Sequence, residues 1–179
     1  DTFAAMALAS LPPSHAVMKE TPRNRYKSIL TKEMLREIVG VGLFFFLLLL
    51  TMLYAFQHTD ITSLTDFLQL QLSNKRHISA YELTLLFTVF VMTHFFYLFN
   101  ARAFGSHRSA LHFKGCKGLI TIVVIIFVGQ VAMVETPGFQ KFFNVVSLRW
   151  TDWLIIIAGS SLVLWIREAW NLLVTQKRI

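Results

Sequence analysis

Cysteine is all but missing from this chain: Cys116 stands alone among 179 residues. A single thiol excludes an internal disulfide and any cysteine-based metal cluster within the chain. Charge is scarce as well, at 15% of residues, where soluble domains carry roughly 25%. Acidic residues are the scarcer sign, 10 against 17 basic, which leaves a net charge of +7. The strand alternation that a membrane barrel needs is missing. No Ser/His/Asp arrangement and no glycine-rich phosphate loop is visible. His94 is the one histidine inside an apolar run, so a membrane cytochrome, which needs facing histidines within the bilayer, is excluded. His107 and His112 have a spacing that suits no usual helical metal pair.

What is present in excess is apolar. The chain is 55% hydrophobic with 17 Phe, and its mean hydropathy is +0.56. Uncharged runs cover 38–56 ("IVGVGLFFFLLLLTMLYAF"), 83–101, 118–134 and 153–166, the last extended by apolar flanks to 150–170. A helix rises about 1.5 Å per residue and hydrocarbon is roughly 30 Å thick, so about 20 residues make a span. Trp150, Trp153, Trp165 and Trp170 mark the two ends of the last run, and indoles favour the membrane–water interface. Four such runs in a soluble protein would leave too little polar sequence to cover them. The sequence therefore predicts an all-α integral membrane helical bundle of four transmembrane helices plus an N-terminal half-helix.

The expected layout is a half-helix at 1–11, a basic loop at 12–37 and a span at 38–56. An exterior loop and helix start at 57–82 and a span at 83–101 follow. The second loop occupies 102–117, with a span at 118–135, an exterior loop at 136–149, a span at 150–170 and a tail at 171–179. Within 57–82, "TSLTDFLQLQL" suits a short amphipathic turn on the bilayer. Lys19, Arg23, Arg25, Lys27, Lys32, Arg36, Arg102, Arg108, Lys114, Lys117, Arg167, Lys177 and Arg178 fall on one side. Only Lys75, Arg76, Lys141 and Arg149 fall on the other. Basic loops stay in the cytoplasm, which fixes the orientation and accounts for the net charge with no need of nucleic acid. Gln130, Ser160, Ser161, Thr88 and Thr93 are expected to bond across helix interfaces, and Gly40, Gly42, Gly118 and Gly129 to permit close packing. Arg167 and Glu168 read as a snorkelling arginine beside an acid.

The opening "DTFAAMALASLPPS" is only half a span, since eleven residues cover about 16 Å. Asp1 would then sit near the bilayer midplane, at a cost of about 2.5–3.5 kcal/mol on insertion scales. The economical expectation is a chain cut within a membrane helix that Pro12 and Pro13 end.

These residues resemble a family. Asp1, Thr2, Ala4, Ala7, Leu8, Ala9, Pro12 and Pro13 are similar to the end of the sixth membrane helix of P-type cation pumps of the calcium-transporting kind. "VMKETPRNR" resembles the basic loop that follows, and "ILTKEM" the entry to the seventh helix. "LFNARAFGSHRSA" is similar to the end of the eighth helix in plasma-membrane-type calcium pumps, and "GQVAMVE…LRWTDWLIIIAGSSLVLWIREAW" to the ninth and tenth. The likeness covers nearly the whole chain, and is most specific at the opening and at Asn100-Ala101-Arg102.

The resemblance implies the carboxy-terminal membrane region of an ATP-driven cation pump, with calcium as the transported ion. ATP and magnesium then belong to a missing part, since the phosphorylation sequence Asp-Lys-Thr-Gly is absent. The segment alone is expected to be non-catalytic and to hold no cofactor. Expected partners are membrane lipid and the remaining helices and cytoplasmic domains of the same pump, in a plasma or bacterial inner membrane. Asp1 matches a direct ligand of the transported cation; the alternative is a cut end with no such role. By the resemblance, His94 stands where two-site calcium pumps carry Glu and plasma-membrane-type pumps Gln. Imidazole is a poor calcium ligand, so a single ion site on helices four to six is implied. His94 is then either an interhelical hydrogen-bonding group or part of an ion path. Arg23 and Arg25 are implied to help couple the phosphorylation domain to the membrane. Two other readings remain open: a small independent four-helix membrane protein with a scaffold or regulatory role, and a pump for another cation.

Overall fold

In hydrocarbon no water satisfies a backbone N–H or C=O, so an apolar run of this length closes its own bonds as a helix. The structure, a computed structural model, describes residues 2–9, 30–58, 77–103 and 117–176. Among the described residues there are six helices and no strand: α1 (Thr2–Ala9), α2 (Lys32–His58), α3 (Ala80–Ala103), α4 (Lys117–Glu135), α5 (Pro137–Phe143) and α6 (Trp150–Gln176). Four of them contain stretches long and apolar enough to cross a membrane: Met34–His58, Ala80–Ala103, Lys117–Glu135 and Trp150–Ala169. The chain is an all-α membrane bundle.

Local chemistry sets the helix ends. Thr31 caps α2: its Oγ1 accepts the Met34 N–H at 3.2 Å and its carbonyl accepts the Leu35 N–H at 2.9 Å. The helix therefore begins at Lys32, not at Ile38 where the uncharged run starts, because charge does not stop a helix that has reached water. Ser79 and Glu82 form a reciprocal capping box at the start of α3. The Glu82 carboxylate accepts the Ser79 N–H at 2.7 Å, and the Ser79 hydroxyl accepts the Glu82 N–H at 3.2 Å. The stretch 136–149, read from sequence as a loop, contains α5. Pro137 takes its first helical position, where a missing N–H is no loss. Asn144, at φ 54°, closes it in the left-handed conformation. The amphipathic turn expected at 62–72 lies outside the described residues.

α2, α3, α4 and α6 alternate in direction. The start of α3 meets the start of α6 through Tyr81 and Asp152, and the end of α6 meets the start of α2 through Arg167 and Glu37. α3 is the central helix, packed on α6 most extensively and also on α4 and α2; α1 lies on α4. Two apolar clusters result. One joins Leu98, Phe99, Ala103, Leu119, Val123 and Leu164, with Leu8 of α1 against it. The other joins Phe56, Leu85, Met92, Val134, Leu148, Trp153 and Ile156. By contrast Phe56 is the one buried residue of α2 among those described. Lipid tails are as apolar as these side chains, so close fit and polar links hold the bundle more than the hydrophobic effect does.

Several hydroxyls are satisfied within their own helix. Thr51, Thr84, Thr93 and Thr121 donate to the carbonyls of Leu47, Ala80, Val89 and Lys117 at 2.7, 2.7, 2.6 and 2.9 Å.

Candidate functional site

Among the described residues, eight polar or charged ones are buried: Glu82, Thr84, Thr88, Thr93, Asn100, Gln130, Asp152 and Ser160. Five of them belong to α3, and they form a seam that runs the length of the bundle. At one end Asp152, fully buried, accepts a hydrogen bond from the Tyr81 hydroxyl. Beside it Glu135 Oε1 accepts the indole N–H of Trp153 at 2.9 Å and the backbone N–H of Leu148 at 3.3 Å. Thr84 Oγ1 accepts the Val146 N–H at 3.1 Å, and Gln140 Nε2 donates to the Val134 carbonyl at 2.7 Å. The bonds of Val146, Gln140 and Leu148 tie the 136–149 stretch to α3 and α4, those of Asp152 and Trp153 tie α6 to the same two helices, and together they form a clasp.

Midway along, Gln130 of α4 donates to Thr88 of α3 at 3.3 Å, and Thr93 of α3 lies 3.5 Å from the Ser160 hydroxyl of α6. These four residues bond across helix interfaces, as the sequence led us to expect. Ser161 instead donates to Ala158 in its own helix at 2.7 Å. At the other end Asn100 Nδ2 donates to the Val163 carbonyl at 2.9 Å, while its buried Oδ1 has no partner among the described residues. Arg167 pairs with Glu37 of α2 at 3.1 Å, so its acid comes from across the bundle rather than from the neighbouring Glu168. A Cβ at Gly40, Gly42 or Gly129 would meet nothing within 4 Å. Those glycines therefore do not bring helices together within the described chain. Trp150 and Trp165 are exposed, but Trp153 is 6% exposed and belongs to the core, where its indole N–H has a partner.

His94 is half-buried on the side of α3 that meets α2. Its Nδ1 lies 2.9 Å from the Phe90 carbonyl, a contact that needs the proton on Nδ1. The ring packs against Phe45 of α2 and Phe90, with centroids 4.5 and 4.2 Å away. Phe45 also meets Tyr97 edge-on at 5.6 Å. The crevice around His94 is lined by Phe45, Leu48, Leu49, Phe90 and Thr93 and has no room for water. Asp1, Arg23 and Arg25 lie outside the described residues. Among the described residues no group of three His, Cys, Asp or Glu is disposed to hold a metal ion. Sequence reasoning missed the buried capping acid Glu82 and the clasp acids Glu135 and Asp152. The Ser-x-x-Glu pattern at Ser79 was the available signal for the first; acids at span ends gave the others no such mark.

Comparison with known proteins supplies the context for this bundle. The family model described as "Cation transporting ATPase, C-terminus" matches residues 1–173. The chain belongs to this family. A plasma membrane-type calcium-transporting ATPase of Oryza sativa subsp. japonica is 33% identical over 160 residues, 88% of this chain and 14% of that protein. One from Arabidopsis thaliana is 31% identical over 168 residues, 92% of the chain and 14% of the relative. Plasma membrane calcium-transporting ATPase 4 of Homo sapiens is 26% identical over 172 residues, 92% of the chain and 13% of the relative. The chain thus spans about one seventh of the length of these relatives. As a C-terminal region of the cation transporting ATPase family with four candidate spans, it is an integral membrane protein segment.

Proposed function

We propose that this chain is the carboxy-terminal membrane region of an ATP-driven pump that exports calcium, of the plasma-membrane type. The observation that carries the reading is the family match across residues 1–173, together with relatives whose names specify calcium-transporting ATPases. On this reading the intact protein forms an aspartyl phosphate in a part that this chain does not include, and ATP and magnesium act there. The segment is itself non-catalytic, in keeping with the absence of Asp-Lys-Thr-Gly from its 179 residues. Its helices are the seventh to tenth of the pump, a firm flank for the ion-carrying helices, and the hydrogen-bonded seam supports that role.

Asp1 supplies a carboxylate ligand to calcium, a hard cation that favours oxygen. His94 is a packing residue between α2 and α3; its aromatic surroundings support this over an ion path. Arg23 and Arg25 couple the phosphorylation domain to the membrane. Lys32, Arg36, Arg102, Lys117 and Arg167 gather at one end of the bundle, which is then the cytoplasmic end of a multi-pass protein. The membrane is a plasma membrane or a bacterial inner membrane, and the partners are lipid and the rest of the pump.

The test is calcium-stimulated ATP hydrolysis and phosphoenzyme formation by the intact pump. Asp1→Asn should abolish calcium-dependent phosphorylation from ATP, and Arg23→Gln with Arg25→Gln should slow transport while calcium affinity is kept. Stimulation by a different cation and not by calcium, or undiminished activity of Asp1→Asn, would refute the reading.

A further inference from the structure

On α5, Phe139, Phe142 and Phe143 recur at i, i+3 and i+4, which puts them on one stripe of the helix. They are 49%, 81% and 46% exposed, and Trp150 at the start of α6 is 86% exposed. Trp150 and Phe142 are the two most exposed large apolar side chains among the described residues. Lys141 is also exposed, on the opposite side of the helix. The stripe borders an open apolar bowl of about 530 Å³, lined by Thr136, Gly138 and the three phenylalanines.

The surroundings identify what covers this patch. α5 joins the end of one candidate span to the start of the next, since α4 ends at Glu135 and α6 starts at Trp150. Its height is thereby fixed at the membrane boundary. Leu154, one turn along α6 from Trp150, is 69% exposed, on a surface that faces lipid if α6 is a span. Charge agrees. Lys141, on the side of α5 away from the stripe, and Arg149, which immediately precedes Trp150, are both exposed, and a long basic stem sets its cation at phosphate level while the aromatic rings sit below. The clasp holds the patch in position through Gln140 to the Val134 carbonyl and Leu148 to Glu135.

We propose that α5 and Trp150 form an in-plane anchor seated in the non-cytoplasmic leaflet. The phenylalanine stripe and its bowl take the upper acyl chain of a glycerophospholipid, and Lys141 and Arg149 take its phosphate. The proposal rests on the reading of α4 and α6 as membrane spans.

The intact pump is reconstituted in phosphatidylcholine vesicles that contain two photoactivatable phosphatidylcholines, one with its diazirine near the acyl carbonyl and one with it deep in the chain. After irradiation, adducts are mapped by mass spectrometry. The shallow probe should mark residues 139–150, and the deep probe the exposed face of α2 around Phe46 and Leu50. The triple variant Phe139→Ser, Phe142→Ser, Phe143→Ser should lose the shallow adducts and keep those on α2, the sign that it still inserts. Adducts on α2 with none on 139–150 overturn the anchor. So does a protein cross-link at Phe142 from a second copy or a partner subunit that covers the stripe. If neither α2 nor α5 is marked, the membrane-span reading itself fails, and the anchor with it.

Discussion

Tyr81→Phe removes one oxygen and leaves the ring that packs against the Phe56, Leu85 and Trp153 cluster. The oxygen matters because of where Asp152 lies: its relative exposure is 0%, and the Tyr81 hydroxyl donates to its carboxylate. A hydrogen bond to a charged group contributes about 1.5–3 kcal/mol, and a buried carboxylate that loses a donor cannot recruit bulk water in its place. For a domain of this size, each kcal/mol moves the unfolding midpoint by about 2–4 °C, so the variant should melt about 3–12 °C lower. Under the proposed function, the assay is residual calcium-stimulated ATPase activity of the intact pump in nanodiscs after heating to graded temperatures. Tyr54→Phe is the control: Tyr54 is 61% exposed, and such surface changes stay within about 0.5 kcal/mol. In an Asp152→Leu background, Tyr81→Phe should have almost no effect, because the acceptor has gone. A Tyr81→Phe midpoint equal to the control, or an equal loss with and without Asp152, would refute the clasp as a stabilising element.

Two further outcomes follow from the same geometry. Exchanging the charges of the Glu37–Arg167 pair, 37% and 20% exposed, should restore most of what Glu37→Arg or Arg167→Glu alone loses. Each single change should cost about 1 kcal/mol and fade at high salt, as read from activity after heating at two ionic strengths; singles that match the exchange would remove the pair from the account. Gln130→Leu breaks a 3.3 Å bond to Thr88, yet interhelical hydrogen bonds in membranes average about 0.6 kcal/mol. The midpoint should therefore fall by only a degree or two, and a collapse of folding would mean that Gln130 serves more than this bond.

Hydropathy alone located the four long helices, because backbone satisfaction in hydrocarbon leaves an apolar run little choice. It said less about their ends. Lys32–Glu37 carries charge and is still helix, since Thr31 caps it and the extra turn emerges into water. α5 was hidden for a different reason. Seven residues are too few for a hydropathy window, and "TPGFQKFF" must be read as a proline start with a three-residue aromatic stripe. Gln130 with Thr88 and Thr93 with Ser160 were legible as polar residues in apolar helices. Trp153 was not: sequence marks an indole near a span end, and only packing decides between lipid and core. The acids of the clasp escaped for a similar reason, as their partners Tyr81 and Trp153 are distant in the chain and look aromatic rather than polar. Of the candidate residues, His94 alone lies in the described part, and its surroundings depend on Phe45, a residue of another helix that no local pattern connects to it.

The hydroxyls of Thr51, Thr84, Thr93 and Thr121 are each returned to a carbonyl one turn back. A segment that seals its own polar groups can leave the translocon and enter lipid unaccompanied, with no sister segment needed to mask them. Assembly then becomes a separate, later event, in which, among the described residues, Gln130, Ser160, Asn100, Glu135 and the acids near the helix starts find their counterparts.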